Sequence, residues 1–327
     1  MRFLFLLVIT FALQPVSKAQ NFSKVDSFVD YLRQNEQFMG AISLKKGSAT
    51  PVTYVGGFSS VESRAAVNTK TTFRIGSITK MFTSVMIHQL WEEGKLDLTD
   101  KLSMYFPEFP GGENITLSNL LYHQSGIHNF TDEQEYVAYM TEPKTHEEML
   151  AIMMKYPADF EPGADSKYSN SNYVLLGYII EQVTGSSYKE QLEQRIVKPL
   201  GLKQTKAGFP GNSESEEAYS YIDASVKWMP SPVTDLSIPH GAGMIVSTPS
   251  DLCIFIEGLF KGKLLADSTV DEMTRLRGRY GKGIFFIPFY EHKAYGHTGG
   301  IDGFVSSLAY FPKDSLAIAI CLNGMRY

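Results

Sequence analysis

The sequence predicts an α+β fold: one antiparallel sheet flanked by helices, with an all-helical lobe inserted into its middle. Three observations carry this prediction. Strand-like runs occur near the start (Gly40 to Leu44, Val52 to Phe58) and again near the end (Gly283 to Pro288, Lys293 to Thr298, Gly303 to Phe311, Ser315 to Leu322). Between them lie helical spacings punctuated by Pro107, Pro110, Gly111-Gly112, Pro157, Pro162-Gly163 and Pro199. A strongly apolar helix, Thr79 to Glu93, follows the first strand group. One sheet assembled from both chain ends is the economical arrangement, with a sheet lobe over about 20–76 and 245–327 and a helical lobe over about 77–244. A cleft between the lobes is then the natural place for chemistry.

Each element has its own reason. Arg2, the apolar run Phe3 to Leu13 and the small residues of Ser17-Lys18-Ala19 form a secretory signal over residues 1–19, cut after Ala19. The run is too short to span a bilayer, which takes about 20 apolar residues. From Asn21 to Glu36, Phe22, Val25, Phe28, Val29 and Leu32 follow helical spacing. Lys46-Gly47-Ser48 turns the first strand into the second. Met81, Phe82, Val85, Met86, Ile87 and Leu90 make the next helix a buried one, and Gly94 ends it. Ser171 to Val183, Tyr188 to Val197 and Pro249 to Phe260 are also helical in pattern, while Gly300 and Pro312-Lys313-Asp314 separate the final strands.

Composition excludes several function classes. The formal charge is −5, with lysine and arginine scattered rather than clustered, so the chain has no electrostatic footprint for nucleic acid. Cys253 and Cys321, the two cysteines, both sit among apolar neighbours and read as buried free thiols. Neither belongs to a spaced Cys/His cluster, and no metal or organic cofactor is implied. After cleavage the protein is expected to be secreted or periplasmic and without a membrane span; a protein partner is not indicated.

The strongest chemical motif is Ser77-Ile78-Thr79-Lys80 at the start of the buried helix. Residues i and i+3 share a helix face, so the Lys80 amine can reach the Ser77 hydroxyl. A lysine held among apolar groups loses basicity and can accept the serine proton. Backbone N–H groups at the helix start can receive developing negative charge. Four letters alone are equally those of a capping serine and a solvated lysine. Tyr168-Ser169-Asn170, before an apolar helix, and His297-Thr298-Gly299-Gly300, ending a strand, supply the context.

In this order the three motifs resemble those of the serine β-lactamase and penicillin-binding-protein (D,D-peptidase) superfamily, and the Tyr-x-Asn form looks most like class C β-lactamases and related esterases and D-amino-acid peptidases. Leu120 to Gly126, Tyr173 to Glu181 and Gly241 to Thr248 support the resemblance, which runs from about Gly40 to Asn323. It implies a β-lactamase/transpeptidase-like fold in which Ser77 is acylated while Lys80 and Tyr168 shuttle its proton, the base at each step being left open. It further implies an oxyanion hole from the Ser77 and Gly300 amides. Asn170, His297, Thr298 and Gly299 would then bind a small-molecule or peptide substrate. Many β-lactamases and transpeptidases have lysine where His297 stands, so efficient β-lactam hydrolysis is not expected, and an ester or D-amino-acid amide substrate gains weight. A true β-lactamase and a silent homologue binding peptidoglycan peptides or a protein are the alternatives. Relatives also add a C-terminal helix across the sheet, so the end at Tyr327 raises the expectation of a truncated sequence or of a sheet face left bare or covered by another chain.

Other residues are expected to pack rather than react. Ile75 to Thr79 lacks the second glycine of a nucleophile elbow. His146-Glu147-Glu148 reads as an exposed first helical turn and His123 as structural. His128, His240 and His292 are given no catalytic role. Phe285, Phe286, Phe289 and Tyr290 read first as packing, with an apolar acyl pocket as the alternative.

Overall fold

A computed structural model describes residues 22–208, 216–223 and 227–324; the expected signal over residues 1–19 lies outside the described residues. The two strand groups meet in one six-stranded antiparallel sheet, ordered Phe285–Phe289, His292–Ile301, Phe304–Phe311, Leu316–Gly324, Met39–Lys46, Val52–Gly56. The last strand pairs with the first, Ala41 opposite Cys321 and Ser43 opposite Ala319. Along Leu316–Gly324 the pleat buries Ala317, Ala319 and Cys321 on one face and half-buries Ile318, Ile320 and Leu322 on the other.

Small residues on the first face let the Pro249–Phe260 helix lie close, so that the Cys253 sulfur reaches the Ser43 carbonyl at 3.4 Å. That helix begins as its sequence demands. Pro249 occupies the first turn, and the Thr248 side chain accepts the Asp251 N–H. On its other side Phe255 stacks on Phe82 of the Thr79–Glu92 helix, centroids 3.7 Å apart, a pairing worth about 0.5–1.5 kcal/mol beyond its area. Almost every side chain of the Thr79–Glu92 helix is buried, because it runs between this layer and the Asn170–Thr184 helix. The second sheet face carries the Ser23–Gln34 helix, with Val29 against Phe38, Leu44 and Tyr54. Both cysteines are free and buried, as expected, and burial pushes their thiols up.

Three expectations need adjustment. Gly300 does not separate strands; it lies inside His292–Ile301, and the turn follows at Asp302-Gly303, where Asp302 takes the left-handed backbone at φ 54°. The helix expected from Tyr188 to Val197 is regular only to Leu192 and continues as a wide π turn over Glu193–Val197. Short strands at Lys206–Ala207, Tyr221–Asp223 and Trp228–Pro230 also lie in the middle segment, which is otherwise helical.

A buried charge cluster ties the middle segment to the sheet. Arg74, 1% exposed, donates to Glu217 at 3.0 Å, to the Thr234 carbonyl at 2.7 Å and to Asp302 at 3.3 Å. Burial raises both carboxyl pKa values, and the guanidinium works against that rise. Removing one partner of such a cluster strands the others. Arg74→Ala is therefore expected to cost about 3–5 kcal/mol of unfolding free energy, read as a lowered urea midpoint; a midpoint within error of wild type would contradict the assignment.

Candidate active site

Ser77 lies in the short turn Gly76–Ile78 that leads into the Thr79–Glu92 helix. Gly76 has φ 49°, and a Cβ there would stand 2.9 Å from the Gly300 amide nitrogen, so only glycine lets this turn press against the strand. The contact brings the Ser77 and Gly300 main chains together. Strand Phe285–Phe289 pairs with its neighbour only as far as Gly296, which among the described residues leaves His297 to Ile301 with one edge unpaired by any strand.

The Lys80 amine is wholly buried. It lies 2.9 Å from Ser77 Oγ, 2.7 Å from Asn170 Oδ1 and 2.9 Å from the Ala242 carbonyl oxygen. No carboxylate pairs with it among the described residues. Burial accordingly holds its pKa well below the ordinary lysine range. A neutral amine has two N–H bonds and one lone pair. Asn170 and Ala242 can take the two donors, which leaves the lone pair facing the Ser77 hydroxyl.

Tyr168 packs over Lys80, its ring centre 4.9 Å from Nζ. Burial raises the phenol pKa, although contact with Ser77 opposes the rise, so the neutral phenol is the resting form. Asn170 opens the Asn170–Thr184 helix. Its Nδ2 donates to Thr131 Oγ1 at 2.9 Å and its own N–H goes to Asn129 Oδ1 at 2.9 Å, which fixes the amide so that Oδ1 meets Lys80.

His297 lines the same cavity as Thr298, Gly299 and Gly300, but it is 1% exposed and stacks on Phe285 at 3.9 Å. Burial, with Lys80 nearby, depresses its pKa to about 3, so it supplies no positive charge near neutrality. Thr298 on the next position is exposed to the cavity.

Ser77 sits where two cavities meet. One, of about 490 Å³, is bordered by Tyr136, Met140, Asn170 and Ser231. The other, of about 530 Å³, is bordered by Tyr168, Arg279, Phe285 and Phe286. Phe285 and Phe286 thus face a cavity, whereas Phe289 and Tyr290 are 56% and 90% exposed at the hairpin tip and do not pack as expected.

Of the two supports of the site, the sequence pointed to His123 as structural but not to the Ala242 carbonyl. His123 is buried beneath Tyr168, centroids 4.5 Å apart, and its Nδ1 accepts the Ser169 N–H at 3.1 Å. The Ala242 carbonyl had no side-chain signature at all. His123, read as structural, takes the left-handed backbone at φ 56° inside the Leu120 to Gly126 stretch already singled out.

A sequence model of the Beta-lactamase family matches residues 28–327. The chain belongs to the beta-lactamase family. PbpX of Bacillus subtilis (strain 168), named as a penicillin-binding protein, is 32% identical over 263 residues, covering 79% of this chain and 63% of PbpX. The teichoic acid D-alanine hydrolase of Staphylococcus aureus (strain MRSA252) is 26% identical over 317 residues, 94% of this chain and 75% of that protein. Among solved structures, the D-amino acid amidase from Ochrobactrum anthropi SV3 complexed with D-phenylalanine superposes with a TM-score of 0.80 at 25% identity, covering 92% of each chain.

The buried imidazoles make a stability prediction. His88 and His297 have folded pKa values of about 4 and about 3, both depressed chiefly by burial, against about 6.5 in an unfolded chain. Between those limits unfolding takes up protons. Their contribution is complete above about pH 6.5 and is lost as the pH falls, by roughly 1.4 kcal/mol per pH unit for each. Urea unfolding at pH 7, 6 and 5 should show this slope, and His297→Asn should reduce it by about one proton; an unchanged slope would argue against a buried neutral His297.

Proposed function

We propose that the protein is a secreted serine hydrolase that cleaves an ester or amide of a D-amino acid through an acyl-Ser77 intermediate. The observation that carries this reading is the buried Lys80 amine, 2.9 Å from Ser77 Oγ and held by two carbonyl oxygens. In acylation Lys80 takes the Ser77 proton as Oγ bonds to the substrate carbonyl carbon. The Ser77 and Gly300 amides receive the oxyanion. The carbonyl re-forms, the leaving alcohol or amine departs, and the proton returns to it by way of the neutral Tyr168 phenol. Water then attacks the acyl carbon and its proton passes through the same pair to Ser77 Oγ as the acyl–Oγ bond breaks, releasing the acid and restoring the Ser77 hydroxyl.

Tyr168 is the less favourable base in the resting enzyme, because burial opposes its ionised form while it favours the neutral form of Lys80. The D-amino-acid class rests on the relatives: one hydrolyses D-alanine from teichoic acid and another is a D-amino acid amidase. The two cavities beside Ser77 fit an acyl group on one side and a leaving group on the other, with the extended part of the substrate along the free edge at Thr298. Secretion rests on the N-terminal sequence, and among the described residues no helix is long and apolar enough to cross a membrane. Residues 20–76 with 245–327, and 77–244, are taken as the two lobes flanking this cleft.

Acid-quenched intact mass during turnover of D-alanyl and D-phenylalanyl esters and amides tests the chemistry. Wild type should gain the acyl mass, and Ser77→Ala should gain none and lose roughly 10³-fold or more in kcat/KM. A folded wild type with neither adduct nor turnover across the panel would overturn the reading.

The uncharged His297 bears on β-lactams, whose carboxylate lacks a cation at that position. Introducing one by His297→Lys should raise the acylation rate by a β-lactam relative to a D-amino-acid ester, by roughly tenfold for one charged hydrogen bond. A ratio that stays the same or falls would show that position 297 does not set this preference.

A further inference from the structure

Away from the Ser77 cleft, three residues far apart in sequence converge. His146 opens the His146–Met154 helix, Glu181 lies in the last turns of Asn170–Thr184, and His240 opens the short His240–Gly243 helix. We propose that His146, Glu181 and His240 form a binding site for a divalent transition-metal ion of the zinc type.

Geometry is the first argument. His146 Nε2 lies 3.4 Å from Glu181 Oε2, and His240 Nε2 lies 3.6 Å from Glu181 Oε1. Both separations exceed the usual hydrogen-bond length of about 2.9–3.0 Å. They match the spacing of neighbouring ligands around a four-coordinate zinc, about 3.3 Å for bonds near 2.0 Å. Every ligand atom of the group lies within 4.8 Å of the others, so a small closure brings all three onto one ion.

Orientation is the second. Tyr178 stacks on the His146 ring at 3.8 Å and 26°, while Tyr178 and Tyr188 hold His240 at 4.8 and 5.2 Å. The Tyr188 N–H donates to Glu181 Oε1 at 2.7 Å and fixes the carboxylate. The hydrogen bond to Glu181 is the kind of outer partner that orients a metal ligand, and the tyrosine rings restrict the two imidazoles by packing. Access is the third. His240 and Glu181 are 7% and 20% exposed at the side chain, but His146 is 46% exposed, which leaves an approach from solvent and room for a water as fourth ligand. Two imidazoles with one carboxylate favour zinc and its neighbours over calcium or magnesium, which take oxygen ligands.

The site would also brace the catalytic helix. His240 is followed directly by Gly241, whose carbonyl accepts from Thr83 Oγ1 at 2.6 Å, and by Ala242, whose carbonyl accepts from Lys80.

The test is calorimetric titration of the full chain, first stripped with a chelator, using zinc chloride. Wild type is expected to bind one zinc ion per chain with a dissociation constant of about 10 µM or tighter, and to melt at a higher temperature when loaded. His146→Ala and Glu181→Gln, each confirmed as folded by circular dichroism, should weaken binding roughly tenfold or more. His292→Ala, on the surface beside Asp314, should leave it unchanged. Cobalt in place of zinc reads the site without any variant, since a four-coordinate site gives intense visible absorption. No saturable binding by wild type, equal affinity in His146→Ala, an equal loss in His292→Ala, or a weak six-coordinate cobalt spectrum would each overturn the proposal.

Discussion

The Lys80 amine is buried with a hydroxyl and two carbonyl oxygens around it, and the surrounding fold is arranged to keep anions away while holding those oxygens in place. A primary amine in such surroundings loses its proton more readily than an exposed lysine, because burial opposes the charged form and no carboxylate pairs with it among the described residues. The acceptor from Ala242 depends on a close approach of two main chains. A Cβ at Gly241 would lie 2.9 Å from Gly177 Cα, and one at Gly177 would lie 2.4 Å from the His240 ring. Glycine at both positions lets His240–Gly243 settle on the Asn170–Thr184 helix. The same helix starts at Asn170, so two of the three oxygens around Lys80 are set by a single packing contact.

Charge is managed differently on the two sides of this amine. His123 and His297, its buried neighbours, are both pushed toward the neutral form, chiefly by burial. The arginine of the preceding strand is buried too, but Glu217 and Asp302 bracket it. The arrangement separates a region where protons move without net charge from one where charges are locked in pairs to hold the Asp302 turn. Ser77 lies on the neutral side, so in the proposed reaction charge that develops on an attacked carbonyl would meet main-chain dipoles rather than a fixed cation.

How far the sequence could be read follows from the range of each interaction. Ser77 and Lys80 are one helical turn apart, so their encounter is a local property and was legible as such. Strand alternation near both ends, with small residues at Ala317, Ala319 and Cys321, carried the sheet. Tyr168, Asn170 and Gly300 have no local reason to meet Ser77, and they were found only through resemblance. The Ala242 carbonyl, the Arg74 cluster and the His146, Glu181 and His240 group were not legible. They join residues 35 or more positions apart, and a main-chain oxygen has no letter. Gly300 was misread as a break because a glycine pair suits a turn, whereas here it suits a strand pressed against Gly76, and the left-handed turn residue is Asp302.

In the proposed reaction the parts that react and the parts that select come from different segments. Ser77, Lys80, Tyr168, Asn170 and Gly300 sit at the ends of elements locked by core packing and short main-chain contacts. The cavity walls come from elsewhere: Tyr136 and Met140 from the middle segment, Ser231 from the loop after a short strand, Phe285 and Phe286 from the sheet's edge strand. Edge strands and loops carry fewer packing obligations than the helix bearing Lys80, so their side chains can change without disturbing the amine. That separation gives a physical reason why one fold serves relatives named for different substrates. It also means that the proposed acyl chemistry should tolerate changes at position 286 that alter which acyl group is accepted, whereas Phe285, stacked on His297, is tied to the site.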